Sequence, residues 1–407
     1  MIRLFARNTF GILAASATAL LLAGCGDEPG DYPPIDSEQT GYRGVGMVQH
    51  TNPRMEEIKR KINEAPDPLY PPVGDGGPLA KDVYQNVQVL GDLTEGQFTR
   101  LMAHITEWVV PKEGLPEDQQ GCNYCHNPNN LADDSVYTKI VSRKMIQMTR
   151  DINGNWQDHV NQNGEGAGVT CYTCHRGNGV PNKYWFKTPE DPPSMVGWDG
   201  GQNHPHPQIN YASLPEDPFS LYLLEDNNAR VVSDTALPTG NPKNIKDTEH
   251  TYAMMIHMSQ GLGVNCTYCH NSRSVAEWNR APEGPDADYG KRPDALYGSQ
   301  NRPQRATAWY GIQMAKDANN EWMAPLASVI PSDPSEWMGN NLGPRLGPLG
   351  DVGKINCTTC HNNVYKPLYG AKMLKDHPEL WGGGDYSADS DGTTASADGM
   401  SAAGGGQ

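Results

Sequence analysis

Apolar and polar residues alternate with helical spacing in blocks that occur twice. Met145-Ile146-Gln147-Met148-Thr149-Arg150-Asp151-Ile152-Asn153-Gly154-Asn155-Trp156 lines up with Gly311-Ile312-Gln313-Met314-Ala315-Lys316-Asp317-Ala318-Asn319-Asn320-Glu321-Trp322. Each places Met or another apolar residue on a helical face and closes in Asn or Gly, which predicts a helix ending in a turn. Upstream of these, Leu101-Met102-Ala103-His104-Ile105-Thr106 matches Met254-Met255-Ile256-His257-Met258-Ser259 through a shared Met-x-His. The duplication predicts a mostly helical, loop-rich single unit with two similar halves, residues 81–190 and 241–370. A Pro-rich connection, 191–240, joins them. Residues 25–80, dense in Pro and Gly, read as an extended segment, and 371–407, rich in Gly, Ser, Ala and Asp, as a disordered tail.

The first 24 residues follow another pattern. Arg3 and Arg7 precede an apolar or small stretch from Gly11 to Ala23. A span needs roughly 18–20 apolar residues, so this stretch is an export signal rather than a membrane helix. Cys25 directly follows Leu22-Ala23-Gly24, the setting of a bacterial lipoprotein site at which the thiol is acylated.

Composition sharpens the picture. Of 407 residues only 37% are hydrophobic, against 44 Gly and 33 Pro, which leaves little apolar side chain for a core. Something else must supply apolar bulk. A net charge of −16 argues against nucleic acid as a partner and suits a protein that is soluble outside a membrane and steers a basic partner.

The cysteines identify the missing bulk. Eight of nine form Cys-x-x-Cys pairs, each followed at once by histidine: Cys122/Cys125/His126, Cys171/Cys174/His175, Cys266/Cys269/His270 and Cys357/Cys360/His361. Two thiols about one helical turn apart add to the two vinyl groups of heme, and the adjacent imidazole reaches the iron from one face. Zinc knuckles use Cys pairs without an obligatory following His, and disulfides rarely link such close pairs. Four covalent heme c groups are expected.

The repeat supplies candidates for the opposite face of each iron. Met102 and Met255 stand before the first signature of each half, with His104 and His257 as equal rivals; residues two apart on a helix project in roughly opposite directions, so one of each pair serves. Before the second signatures, Met148 and Met314 recur, whereas Met145 becomes Gly311. If Met145 is the ligand in the first half, the fourth iron must borrow a partner, and His159 is the candidate. His204 and His206 in the connection read as exposed loop residues. Trp108, Trp156, Trp278, Trp309 and Trp322 are expected around porphyrin or between helices.

These features together resemble the tetraheme cytochrome c subunit of the purple-bacterial photosynthetic reaction centre. The likeness rests on the four signatures, Cys25, Gly41 to Met47, Thr106-Glu107-Trp108-Val109, Met145 to Val160, Cys171 to Gly177 and Trp309-Tyr310-Gly311-Ile312, and covers about residues 20 to 370. It implies two pseudo-symmetric diheme halves packed around four hemes. It also implies sixth ligands Met102, Met145 and Met255 for the first three hemes and His159 for the heme on Cys357 and Cys360. The loop from Pro111 to Gln120 is longer than the resemblance leads one to expect, and surface loops tolerate insertion.

The function so implied is electron transfer rather than catalysis. A lipid-anchored subunit on the periplasmic face of the photosynthetic inner membrane would take electrons from a soluble donor, a small cytochrome c or a high-potential iron–sulfur protein. It would pass them to the photo-oxidised special pair of the reaction-centre core. A respiratory carrier serving a terminal reductase would share the signatures but not the stretches around Met145 and Trp309. A reductase of a small anion would need an iron with an open position, whereas each iron here has a candidate sixth ligand.

Overall fold

The computed structural model describes residues 34–39, 48–161, 166–189, 208–209, 214–215, 217–227, 229, 245–270 and 303–382. The export signal, Cys25, Gly41 to Met47, His204, His206, Trp278 and the tail beyond residue 382 lie outside them.

The described part is mainly α and loop-rich. Two short strands, β1 (Asp36–Gln39) and β2 (Val48–Thr51), pair antiparallel with Asp36 opposite Thr51. The helices in chain order are α1 (Pro53–Ile62), α2 (Ala80–Val83), α3 (Glu95–Val109), α4 (Tyr137–Asn155), α5 (Gln157–Val160), α6 (Cys171–His175), α7 (Ser220–Leu223), α8 (Ile245–Leu262), α9 (Pro303–Asp317) and α10 (Cys357–His361). No described helix is long and apolar enough to cross a membrane.

Local chemistry sets the helix ends. Thr94 and Gln97 form a capping box at the start of α3: the Gln97 N–H donates to the Thr94 hydroxyl at 3.3 Å, and the Thr94 N–H to the Gln97 side chain at 3.0 Å. Arg100, Leu101, His104 and Trp108 make its buried face. The segment read as extended contains α1, because Asn52 caps it by accepting from the Arg54 N–H at 3.0 Å and Pro53 sits at the first helical position.

Three of the apolar packets among the described residues hold the long helices. Leu101 and Trp108 of α3 meet Ile146 of α4 and Leu374 and Leu380 near the end of the described chain. Met254 of α8 and Ile312 of α9 meet Trp185, Phe219 and Leu223. Between α4 and α9, Met148, Ile152, Met314, Ala318 and Trp322 form the third packet. Two boundary readings change accordingly. Residues 371–382, assigned to the tail, pack through Leu374 and Leu380 against α3. Phe219 to Leu223, assigned to a Pro-rich connection, belong to the core.

The predicted Asn/Gly turns are absent. Helix α4 continues through Asn155, and α9 passes into a π-helical turn, Ala318–Met323. Asn153 and Asn319 are fully buried instead. Gly154 is needed for close approach, since a β-carbon there would lie 3.0 Å from the Gly382 carbonyl oxygen.

Candidate electron-transfer site

The second and fourth signatures are helices that end alike. Thr170 precedes α6 and Asn356 precedes α10, each in a capping box with the Thr three residues on. Arg176 and Asn362 close them in the left-handed region, with φ of 50° and 48°. Helix α6 packs on α3 and on α10, and α10 packs on α8. The first and third signatures are 3-10 turns, Gly121–Tyr124 and Cys266–Tyr268. In both, the histidine N–H (His126, His270) bonds back to the carbonyl of the first cysteine, at 2.9 and 3.0 Å.

Three of the signature histidines are held the same way. The Nδ1–H donates to a backbone carbonyl: His126 to Leu131 at 3.0 Å, His175 to Asn178 at 2.9 Å and His361 to Val364 at 3.0 Å. That bond fixes the tautomer and leaves Nε2 as the donor atom for a metal. Burial lowers the pKa of His175, His270 and His361, the last to about 4 with His159 adding to the effect, so the neutral, ligating form prevails.

A cavity of about 670 Å³ opens among α4, α6, α9 and α10. Cys171, Cys174, His175, Cys357, Cys360 and His361 all line it, as do Met145, Met148, His159 and Gly311. The sequence halves therefore bring their second signatures to one space. Met102 packs beside Leu101 and Trp108, and Met255 is half-buried on α8; neither lines this cavity. Cys122 and Cys266 are exposed, while Cys125 is half-buried with its sulfur 3.4 Å from the Ser142 hydroxyl.

His159 reaches across the molecule. From α5, its Nδ1–H donates to the Thr307 carbonyl of α9 at 2.8 Å, and its ring centre lies 6.0 Å from that of His361. Two metal–nitrogen bonds of about 2 Å, with roughly 1.2 Å from each nitrogen to its ring centre, require a separation of about 6.4 Å when the four lie in line. The observed separation is close to that value. Gly311 makes the approach possible: a β-carbon there would stand 2.5 Å from His159 Cε1.

One rival histidine has other work. His104 is buried, donates from Nδ1 to the Arg100 carbonyl at 2.8 Å and accepts at Nε2 from the Leu69 N–H at 3.1 Å. Both ring nitrogens are committed, so His104 holds no metal in this arrangement. His377 packs on it at 4.6 Å between ring centres, and Phe219 packs at the same 4.6 Å on His257.

One pairing was not anticipated. Cys174 and Cys360 are joined by a disulfide that links positions 186 residues apart, with Cα atoms 4.4 Å from each other. A sulfur so bonded forms no thioether, so this bond and heme attachment at these two residues are alternatives. The contact also measures how closely the two signature helices stand.

Equivalent positions of the repeat cross over. The Trp156 indole donates to Asp317 at 3.2 Å, and the Trp322 indole to Asp151 at 3.4 Å. In the aligned blocks Trp156 corresponds to Trp322 and Asp151 to Asp317. Sequence reading assigned these tryptophans to packing and overlooked the aspartates, though their conserved spacing in both blocks was the available signal.

Residues 31–295 and 294–381 match the family described as "Photosynthetic reaction centre cytochrome C subunit". The chain is 47% identical over 373 residues to the photosynthetic reaction center cytochrome c subunit of Rubrivivax gelatinosus, covering 91% of this chain and 88% of that protein. The protein of the same name from Thermochromatium tepidum is 40% identical, with 89% and 78% covered. That from Roseobacter denitrificans is 39% identical, with 84% and 85% covered.

Proposed function

Since the chain belongs to the photosynthetic reaction centre cytochrome c subunit family, we propose that it is a four-heme relay, lipid-anchored through Cys25 on the periplasmic face of the photosynthetic membrane. It takes electrons from a soluble donor and re-reduces the photo-oxidised special pair of the core. The observation that carries this reading is the His159–His361 pair, drawn from the two halves with ring centres 6.0 Å apart.

The hemes, when bound, supply the reversible one-electron chemistry. The chain's own residues attach, orient and insulate them. Cys122 and Cys125, Cys171 and Cys174, Cys266 and Cys269, and Cys357 and Cys360 form the thioethers, which requires Cys174 and Cys360 as free thiols. His126, His175, His270 and His361 would each supply one protein ligand to an iron, and Met102, Met145, Met255 and His159 would supply the second. Thioether-ligated irons take higher potentials than a bis-imidazole iron, so the relay contains unlike steps. The matched contacts of Trp156 with Asp317 and of Trp322 with Asp151 support two pseudo-symmetric halves, each with two hemes. The charge of −16 favours a basic face on the donor, a small cytochrome c or a high-potential iron–sulfur protein.

A single-flash absorbance experiment on native membranes, with the hemes poised reduced, tests the role. Heme oxidation that matches recovery of the special pair is expected. Hemes that stay silent after the flash would overturn it and leave a respiratory relay.

A further inference from the structure

Asn153 and Asn319 occupy the same position of the repeat, and both are 0% exposed. A buried primary amide must place two N–H donors and one carbonyl, and each of these does so in the same way. Asn153 donates from Nδ2 to the Val169 carbonyl at 2.9 Å and accepts at Oδ1 from the Val169 N–H at 2.8 Å. Its second donation goes to the Leu380 carbonyl, also at 2.9 Å. Asn319 donates to the Ile355 carbonyl at 2.9 Å, accepts from the Ile355 N–H at 2.7 Å and reaches the Leu223 carbonyl at 3.2 Å. Each amide thus pairs with one peptide unit at two points, as a strand partner would, and ties in a third segment.

The residues so gripped matter. Val169 and Ile355 each stand two positions before the first cysteine of a signature, Cys171 and Cys357. Between them lie the caps Thr170 and Asn356. The Thr170 N–H donates to the Thr173 hydroxyl at 3.0 Å, and the Asn356 N–H to the Thr359 hydroxyl at the same 3.0 Å. A rigid path therefore runs from each asparagine through a capped helix to His175 or His361. The asparagines themselves belong to the helical blocks facing those signatures. Asn153 lies eight residues beyond Met145 on α4, about 12 Å along the axis. Asn319 lies eight beyond Gly311, against which His159 rests.

We propose that Asn153 and Asn319 are positioning residues that set the distance between the two axial ligands of the second and fourth irons. Each bolts the helix on one side of an iron to the signature on the other. Only asparagine meets the requirement: aspartate lacks the donors, glutamine is one methylene too long, and a hydroxyl makes no two-point pairing. The assignment rests on the proposed heme at these two signatures.

The test uses the purified holoprotein with Asn153→Leu and Asn319→Leu, and the milder Asn153→Ser and Asn319→Ser where leucine prevents folding. Mass analysis of the heme peptides comes first, then a redox titration that resolves the individual hemes. Substitution at Asn153 is expected to shift the potential of the heme on Cys171 and leave the heme on Cys357 unchanged. Substitution at Asn319 is expected to give the reverse. Intact hemes with unmoved potentials, or one common shift in all four, would overturn the positioning role while sparing the heme assignment. Wild-type protein with no heme on the Cys171 and Cys357 peptides would overturn the heme assignment, and the inference with it.

Discussion

The imidazole of His159 fills the space that a side chain at Gly311 would need. A β-carbon on Gly311 would lie 2.5 Å from Cε1, 2.9 Å from Nδ1 and 3.1 Å from Nε2 of that ring. No real β-carbon tolerates such contacts, so Gly311→Ala must push His159 off its bond to Thr307. We expect a loss of about 1–3 kcal/mol in unfolding free energy, the usual cost of overpacking. The heme on Cys357 and Cys360 should also lose its bis-imidazole spectrum while the other hemes keep theirs. Calorimetry and low-temperature electron paramagnetic resonance measure the two effects. An unchanged spectrum would place His159 outside the iron's coordination.

His159→Met asks the same question with the opposite sign. A thioether in place of the imidazole favours the reduced iron, so the potential of one heme should rise and the other three should hold. Four unmoved potentials in a redox titration would remove the borrowed histidine from the ligand set.

How far the sequence could be read follows from where each residue finds its partners. The signatures and the Met145/Gly311 difference were legible because their chemistry is local or repeats in register. The Asn-Gly of α4 misled because, in isolation, Asn bonds to its own backbone and turns the chain. In the fold, Val169 and Leu380 claim its amide, and the helix runs on. The core strip Phe219 to Leu223 was hidden by prolines on both sides. The short helix Pro53–Ile62 was hidden likewise, although Asn52-Pro53 is a recognisable start.

The choice between Met102 and His104 shows the same limit. Leu69, which satisfies His104 Nε2, lies 35 residues upstream, and His377 comes from the far end of the described chain. With both nitrogens occupied, His104 acts in packing. His104→Leu should leave every heme potential unchanged and cost about 1–3 kcal/mol, because the part-buried Leu69 N–H loses its partner. Met102→Leu should do the reverse: a shift in the potential of the first heme with little loss of stability, since volume and apolarity are kept. Redox titration beside chemical denaturation separates the two, and a potential shift in His104→Leu alone would reverse the assignment.

The crossed pairs Trp156–Asp317 and Trp322–Asp151 carry a pH dependence whose sign can be worked out. Burial raises the pKa of Asp151, and burial with the nearby Asp151 charge raises that of Asp317. A carboxyl whose folded pKa is raised binds its proton more tightly in the folded state. Its stabilising contribution is therefore complete below the unfolded value of about 3.9 and is lost as pH rises through the folded value. Asp317→Asn stays neutral throughout and still offers an oxygen to the Trp156 indole. The variant should lose less stability than the wild type as pH rises from about 4 to 7, so the difference in Tm, variant minus wild type, should grow over that interval. Calorimetric scans at several pH values measure it. A difference that stays flat or shrinks would mean that Asp317 is no costlier as an anion in the fold than in the unfolded chain.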